Sequence, residues 1–498
     1  MFENKDVTVI LAQAGSGKTT KLMDILLEEL KTRRPEEIAF VTFTKKGAGE
    51  GLRRACDKFC ITPDELPYFR TLHSLTFHAL DLKLDNVFSK IHERAFNKEY
   101  GYYLNRCEAN NSVHATKDSK YLDYYDLERS GAMTSQQIAQ ADIEIGYYRQ
   151  LVQKYEEYKS RQHLVDFFDC LIKYVQEGVS LPCKVVMIDE AQDITALQWQ
   201  VIQKAFGNAE KVYIAGDESQ SIYTYAGARP DYLIELANKY PRIELKESYR
   251  IPRSVYSLAK GITRMIQAKT DKPFDFHEGN DEGMILQLNN VDRLSNFIKI
   301  ECLENKKTCD WYLLARNNCF LDKYTKTLED NLIPYWNADG FFMGGQIMQR
   351  LKDYEGFRLE GYKTEEKREK FAKRFGITDF SVPFTDTSLF TEGRKWVYAS
   401  YIEKYGLEKL QEMCKWNPQV LVSTIHFVKG GEAENVSILL DSTTKTYGAI
   451  YKDIDEELRV LYVGVTRAKE NLFLIGSTGK NGYDNLLSII EDENGLTY

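Results

Sequence analysis

The chain has 498 residues, more than one hydrophobic core usually organises, so about two to four domains are expected. A hydrophobic fraction of 43% and a charged fraction of 28% are typical of a soluble globular protein, and no apolar run approaches the ~20 residues that a membrane helix needs. The net charge of −8 excludes a protein that is basic over its whole surface, but it leaves room for a local basic groove. Nine scattered cysteines without a CxxC pair predict free thiols and a cytoplasmic location.

A predicted phosphate-binding loop lies near the start of the chain. Residues 7–11 predict a strand, residues 12–20 (AQAGSGKTT) a glycine-rich loop, and residues 21–27 a helix. Backbone N–H groups of such a loop, together with the positive end of the helix dipole, attract phosphate. We expect the Lys18 ammonium to reach the β- and γ-phosphates and the Thr19 hydroxyl to hold Mg²⁺. The predicted phosphate-loop residues are Ala12, Gln13, Ala14, Gly15, Ser16, Gly17, Lys18, Thr19 and Thr20.

Apolar runs alternate with amphipathic stretches along the rest of the chain, which predicts α/β units. Between residues 81 and 160 the sequence becomes polar, helical and rich in tyrosine, as expected for an insertion. Residues 361–418 are charged and predicted to be mostly helical. The predicted strands are 38–43, 184–188, 211–215, 311–315, 420–423, 436–440 and 471–475.

Acidic and amide side chains follow two of these strands. Asp189 can hold Mg²⁺ through water, and Glu190 can polarise the water that attacks a phosphate. Gln220, in the turn after the strand 211–215, can sense the γ-phosphate. Phosphoryl transfer also needs positive charge in the transition state, and Arg250 and Arg467 lie in patterned, otherwise apolar segments.

Nine segments in order resemble the motifs of a superfamily 1 helicase of the UvrD/Rep/PcrA type. One of the nine is a short segment, 164–167, that resembles the stretch before the acidic motif II. The others are 12–19 (motif I), 41–48 (Ia), 71–75 (Ib), 189–193 (II), 216–228 (III), 247–250 (IV), 423–432 (V) and 456–468 (VI).

The resemblance implies two RecA-like P-loop NTPase domains, each a parallel sheet flanked by helices, with helical insertions. Domain 1A would comprise residues 1–80 and 161–245, with a helical insertion 1B at 81–160. Domain 2A would comprise 246–360 and 419–498, with a reduced insertion 2B at 361–418. Gly431 stands where the family usually has a bulky apolar residue, and we expect a looser loop there.

The same resemblance implies roles for individual residues. Lys18, Thr19, Asp189, Glu190 and Gln220 would form the ATP and Mg²⁺ site on the first domain, with Arg250 near the domain junction. Arg467 would act as an arginine finger from the second domain when the cleft closes, and Glu432 would contact the ribose. Aromatic and polar side chains would grip a DNA strand, because stacking on bases tolerates any sequence. The implied DNA-binding residues are Phe43, His73, Tyr223, Tyr225, Thr424 and His426.

The sequence thus predicts a monomeric, ATP-dependent DNA helicase that translocates 3′→5′ on single-stranded DNA and acts at junctions of single and double strands. An alternative is a translocase that displaces proteins with little unwinding, and a third is a P-loop module that binds without turnover. The family's adenine-reading glutamine segment has no counterpart in the eleven residues before Ala12. We therefore expect relaxed nucleotide selectivity and a Gln13 side chain near the phosphates.

Overall fold

The structure is a computed structural model that describes residues 2–106, 116–301, 310–331, 333–337, 340–342, 419–451 and 453–494, and four single positions between 366 and 408. The predicted insertion 361–418 lies outside the described residues except for those four positions. Two parallel sheets organise the described chain.

The first sheet has six parallel strands in the order β3-β2-β4-β5-β1-β6. Two central strands, Ile38–Thr42 and Val185–Asp189, are buried along their whole length because helices cover both faces. These two strands are apolar along most of their length rather than alternating, which is the pattern of a doubly covered sheet. The strands are β1 (Asp6–Ala12), β2 (Ile38–Thr42), β3 (Phe69–Thr71), β4 (Val185–Asp189), β5 (Lys211–Gly216) and β6 (Arg242–Leu245).

Helices flank this sheet, and four of the six begin at side-chain caps. Thr44, Thr71 and Thr195 each accept a hydrogen bond from the backbone N–H three residues later, which satisfies a donor at the helix start. The helices are α1 (Lys18–Glu29), α2 (Lys45–Phe59), α3 (Leu72–Ala79), α8 (Phe167–Glu177), α9 (Ala196–Ala205) and α10 (Pro230–Lys239).

A helical block interrupts the first sheet between β3 and β4. Its core is aromatic: Phe96 stacks on Tyr102 at 5.6 Å and meets Tyr155 and Tyr158 edge-on. Arg129 bonds the Asp166 and Asp169 carboxylates, which joins the block to the start of α8. The block comprises α4 (Lys90–Tyr100), α5 (Lys117–Arg129), α6 (Ser135–Ala139) and α7 (Ile145–Arg161).

The second sheet has seven strands in the order β12-β11-β13-β10-β14-β15-β9, all parallel except the β11–β12 pair. A separate two-stranded pair, β7 (Glu247–Ser248) and β8 (Asp275–Phe276), lies between the two sheets in the sequence. The strands of the second sheet are β9 (Met284–Leu288), β10 (Asp310–Ala315), β11 (Tyr335–Asn337), β12 (Gly340–Phe342), β13 (Gln419–Thr424), β14 (Ala433–Leu439) and β15 (Ala468–Ile475).

The helices around the second sheet pack on two cores. One core surrounds Trp311, and the other includes Leu458, Leu461 and Tyr462. None of the described helices is long and apolar enough to cross a membrane. The helices are α11 (Arg253–Met265), α12 (Val291–Lys299), α13 (Leu321–Asp330), α14 (Thr444–Ile450), α15 (Ile454–Val465) and α16 (Asp484–Asn494).

The predicted fold class, an α/β fold with two RecA-like sheets, is confirmed, and the eight predicted strands all form within a few residues of their expected bounds. The two sheets meet where their motif-bearing loops face each other. The core around α15 includes Ala14 and Ile222 from the first sheet's loops, so the two halves share apolar packing as well as polar contacts.

Candidate nucleotide and nucleic-acid site

The loop between β1 and α1 has the conformation that a phosphate cradle needs. Gly15 and Gly17 have φ values of +74° and +82°, a region that L side chains rarely adopt. A Cβ on Gly15 would lie 2.6 Å from the Cβ of Arg250, so that position requires glycine for space as well. The Ser16 hydroxyl accepts from the Gln13 N–H at 3.0 Å and donates to the Gln13 carbonyl at 2.7 Å, which closes the turn.

Thr19 and Asp189 meet at the carboxyl ends of β1 and β4. The Thr19 hydroxyl donates to the Asp189 carboxylate at 2.9 Å. Burial first, and the neighbouring Glu190 second, raise the pKa of Asp189 to about 6. A hydroxyl and a buried carboxylate are oxygen ligands of the kind Mg²⁺ prefers, and a cation would relieve the cost of burying that charge. These residues therefore fit a magnesium ion.

Glu190 is held as a carboxylate despite its burial. Burial alone would raise its pKa, but Lys18 and Lys429 more than offset that effect, and the pKa of Glu190 is lowered. Its backbone is left-handed, with φ of +55°, which turns the side chain away from the line of β4. The Gln192 amide donates to the Glu190 carboxylate and limits its orientation. An ionised, oriented carboxylate beside a phosphate site is suited to accept a proton from water.

These groups line one cavity of about 1410 Å³ between the two sheets. Most of the predicted nucleotide residues lie on its wall, from both halves of the chain. They are Gly15, Ser16, Gly17, Lys18, Thr19, Thr20, Asp189, Glu190, Gln220, Arg250, Glu432 and Arg467.

Three residues of the predicted phosphate loop do not line the cavity. Ala12 and Ala14 are buried behind it, and the Gln13 side chain is 4% exposed. The expectation that the Gln13 side chain lies near the phosphates is wrong. Its amide oxygen accepts a hydrogen bond from the Tyr462 hydroxyl at 2.9 Å, and that hydroxyl in turn accepts from the Ala14 N–H. A buried amide needs a partner, and α15 supplies one.

Arg467 and Gln220 contact each other across the two halves. Arg467 Nη2 donates to the Gln220 side-chain oxygen at 3.1 Å, and Nη1 donates to the Gly431 carbonyl at 3.0 Å. Burial first, and the nearby Arg250 second, lower the pKa of Arg467. An anion placed beside these two guanidinium groups would stabilise both charges, as a transferring phosphate requires.

Arg250 contacts Glu432 on the cavity wall, near the contact between Gln220 and Arg467. Its Nε donates to the Glu432 carboxylate at 2.6 Å, and both side chains reach the cavity. Next to it, Tyr249 is 61% exposed and lies 4.6 Å from the His277 ring. Sequence reasoning missed Tyr249, although it stands beside Arg250 in the quoted motif.

Lys429 and Tyr312 were also missed. Lys429 pairs with Asp193 and donates to the Gln220 carbonyl at 2.6 Å, so it connects the loops after β13 and β4. Lys429 and Asp193 both stand in motif segments, but nothing in the sequence indicates that these two side chains pair with each other. The loop around Gly431 is not left loose: a Cβ there would lie 2.8 Å from the Tyr312 hydroxyl, which fills the space.

Aromatic side chains form a cluster beside the cavity. Phe43 and Tyr223 lie 5.4 Å apart, Tyr223 and Tyr225 6.3 Å, and Tyr225 and His426 5.7 Å. We call these four residues the aromatic cluster. Tyr225 is 60% exposed, so its ring is open to a stacking partner. Thr424 ends β13, two residues before His426.

The His73 ring contacts Phe167 rather than the aromatic cluster. The two rings meet edge-on at 5.7 Å, and burial, with Lys45 as a smaller cause, lowers the pKa of His73 to about 4. Burial likewise lowers the pKa of His426 to about 3. Both imidazoles are therefore neutral near pH 7. Phe167, which is 61% exposed, was missed as an available aromatic surface.

Comparison with known proteins agrees with this arrangement. Residues 2–241 match the model of the UvrD/REP helicase N-terminal domain, and residues 362–479 match that of the UvrD-like helicase C-terminal domain.

Individual relatives are distant. The chain is 22% identical to a probable DNA helicase II homologue of Mycoplasma pneumoniae, over 68% of this chain and 53% of the relative. It is 25% identical to a putative ATP-dependent DNA helicase of Bacillus subtilis, over 71% of this chain and 50% of the relative. It is 23% identical to the ATP-dependent DNA helicase UvrD2 of Mycobacterium tuberculosis, over 93% of this chain and 76% of the relative.

The chain thus spans about half the length of the first two relatives. Each of the two domain matches includes residues of the cavity wall, such as Lys18 in the first and Arg467 in the second. On these grounds the chain belongs to the UvrD/Rep-like family of superfamily 1 helicases.

Proposed function

We propose that this chain is an ATP-dependent DNA helicase that translocates on single-stranded DNA in the 3′→5′ direction. The observation that carries the proposal is the contact between Gln220 and Arg467 on the wall of a cavity that also holds Lys18, Asp189 and Glu190. Such a site is complete only when both halves of the chain are together. Hydrolysis can therefore be linked to the relative position of the halves.

In the proposed reaction Lys18 and the loop N–H groups bind the ATP phosphates. Thr19 and Asp189 would hold Mg²⁺, which would neutralise charge on the phosphate oxygens. Glu190 accepts a proton from the attacking water, and Arg467 stabilises the charge that develops on the γ-phosphate. Loss of that phosphate removes a partner of Arg467, which favours opening of the cleft.

The strand would run along the aromatic cluster. Tyr223 follows Gln220 by three residues, and its hydroxyl donates to the His426 carbonyl at 3.2 Å. A shift of Gln220 at the γ-phosphate would therefore also shift Tyr223, which lies in the same turn and would contact the bases. The DNA partner would be a single strand or its junction with duplex, and we propose that the chain acts as a monomer.

The proposed domain bounds are 1–80 with 161–245 for domain 1A, 81–160 for 1B, 246–360 with 419–498 for 2A, and 361–418 for a reduced 2B. Domain 1A holds the cradle and the carboxylates, and domain 2A supplies Arg250, Glu432 and Arg467. The motif segments, their order and the two family matches support this division.

Nucleobase recognition in this proposal depends on Tyr249. Its exposed ring lies on the cavity wall beside Arg250, and stacking on an aromatic face accepts any base. We therefore propose relaxed use of ATP, GTP, CTP and UTP. A strict preference for ATP in steady-state hydrolysis would contradict this part.

The test compares duplexes that carry a 3′ or a 5′ single-stranded tail, with ATP and Mg²⁺. Unwinding of the 3′-tailed substrate alone is expected, together with hydrolysis that single-stranded DNA stimulates. Displacement of streptavidin from a biotinylated strand without unwinding would support the alternative, a protein-displacing translocase. No strand-stimulated hydrolysis would overturn both.

Two substitutions assign the activity to the site. Lys18→Ala should abolish turnover, whereas Lys31→Ala, an exposed lysine paired with Glu28 near the end of α1, should not. Arg467→Ala should lose hydrolysis while it keeps much of the nucleotide affinity. Turnover at the parent rate in Arg467→Ala would remove the arginine finger from the mechanism.

A further inference from the structure

A buried ion cluster lies behind Gln220, on the side away from the cavity. Asp217 and Glu218 follow β5 and are fully buried, and the Lys272 side chain is 2% exposed. The Lys272 ammonium donates to Asp217 at 2.7 Å and to Glu218 at 2.6 Å. None of these three residues is needed to bind nucleotide directly, because none lines the cavity.

Asp217 determines which way the Gln220 amide points. Gln220 Nε2 donates to Asp217 Oδ2 at 2.7 Å, and Gln220 Oε1 accepts from Arg467 at 3.1 Å. A carboxylate only accepts hydrogen bonds and a guanidinium only donates them. A flipped amide would face oxygen with oxygen and N–H with N–H, so only one orientation satisfies both neighbours.

Lys272 supplies the buried cation that faces both carboxylates. Burial lowers the pKa of Lys272, but the two carboxylates offset this effect and the resulting pKa is raised. Burial likewise acts to raise the pKa of Glu218, and Lys272 reverses that effect. Removal of the ammonium would leave two buried carboxylates without a cation, and two unpaired negative charges in the interior are strongly destabilising.

The segment that carries Lys272 is held from two sides. We call residues 266–272 the bridging segment. The N–H groups of Gln267 and Ala268 donate to Asp455 at 2.9 and 2.8 Å, at the start of α15. On the other side, the N–H and hydroxyl of Thr270 donate to Glu218 at 2.8 and 2.7 Å. The bridging segment thus joins the turn that carries Gln220 to the helix that precedes Arg467.

We infer that Lys272 is a positioning residue for ATP hydrolysis, which acts through Asp217 to hold the Gln220 amide toward Arg467. This inference rests on the proposed function. It assigns the bridging segment a role in setting the geometry of the γ-phosphate site from behind, without contact with the nucleotide. Removal of this support should lower kcat and leave nucleotide binding largely intact, because the cradle itself is not touched.

Asp217→Asn is the sharpest test. The substitution keeps the shape of the side chain, but its amide can donate to Gln220 Oε1 and so permits the flipped orientation. We expect kcat for DNA-stimulated hydrolysis to fall about tenfold or more, with KM for ATP changed less than about threefold. Lys239→Met is the matched control, since Lys239 is exposed in the last turn of α10 and lies outside the bridging segment.

A double variant separates positioning from stability. Lys272→Met alone should lower both the melting temperature and kcat. Addition of Asp217→Asn removes one unpaired buried charge, so the melting temperature should recover toward the parent while kcat stays low. Recovery of kcat together with stability, or parental kcat in Asp217→Asn, would overturn the inference and leave the proposed function standing. A parent protein without DNA-stimulated hydrolysis would overturn both.

Discussion

Two neutral histidines make the stability of this protein depend on pH in a predictable direction. His73 and His426 have pKa values of about 4 and about 3, against 6.5 for an exposed imidazole. Burial is the main cause in both, and cationic neighbours add to it: Lys45 for His73, and Arg316 and Lys429 for His426. The unfolded chain therefore binds protons at these sites at a higher pH than the folded chain.

The sign and size of the effect follow from proton linkage. As pH falls below 6.5 the unfolded state gains protons first, so the free energy of unfolding decreases until pH reaches the folded pKa. At about 1.36 kcal/mol per pKa unit, His73 should cost about 2 kcal/mol between pH 8 and pH 5, and His426 a similar amount. The loss continues below pH 5, toward pH 4 for His73 and pH 3 for His426.

The assay is chemical denaturation at pH 8 and pH 5, for the parent and for His73→Gln and His426→Gln. Other groups also titrate in this range, so the quantity of interest is the difference between parent and variant in the pH-induced change. Each variant should lose about 2 kcal/mol of the pH dependence. His163→Asn serves as control, because that side chain is exposed and Asn tolerates its φ of +54°.

One result would refute the reasoning. If both variants keep the full pH dependence of the parent, the imidazoles are not held neutral by burial. If only the His163→Asn control changed the pH dependence of the free energy of unfolding, exposed groups rather than the two buried imidazoles would cause it. A DNA phosphate near either ring would favour the protonated imidazole. Single-stranded DNA should therefore reduce the loss of stability at low pH. Melting temperatures measured over a pH series with a short oligonucleotide test this.

Three further outcomes are expected. Gly15→Ala should weaken nucleotide binding and lower the melting temperature, since its Cβ would meet Arg250 at 2.6 Å, whereas Gly49→Ala, with open space in α2, should stabilise by up to about 1 kcal/mol. Gln13→Gly and Tyr462→Phe should each destabilise by about 1 kcal/mol, and a thermal double-mutant cycle should show that their effects do not add. Tyr225→Ala should weaken single-strand affinity about 5- to 150-fold in fluorescence anisotropy, and a loss equal to that of exposed Tyr451→Ala would contradict stacking.

The local elements could be read from the sequence because each has a local cause. The strand 185–189 is continuously apolar and ends in carboxylates, and the loop 12–20 has glycines where positive φ is needed. The positions of Lys18, Thr19, Asp189 and Glu190 around one cavity follow from strands that are parallel and end at the same edge. Arg250 and Arg467 stood out by their patterned segments, but only the family resemblance connected them, together with Glu432, to the nucleotide site.

The sequence did not show which side chains that are far apart along the chain contact each other in the fold. Gln13 was expected at the phosphates, but a buried amide takes the nearest partner, and Tyr462 lies there only after both sheets have packed together. The pairing of Lys272 with Asp217 and Glu218 is of the same kind: each residue alone resembles a solvated charge. Sequence was sufficient for the eight strands it predicted and for the chemistry of the motifs, because short-range sterics and residue type dictate both. Only tertiary packing decided which charges lost their water, and therefore which of them must bond one another.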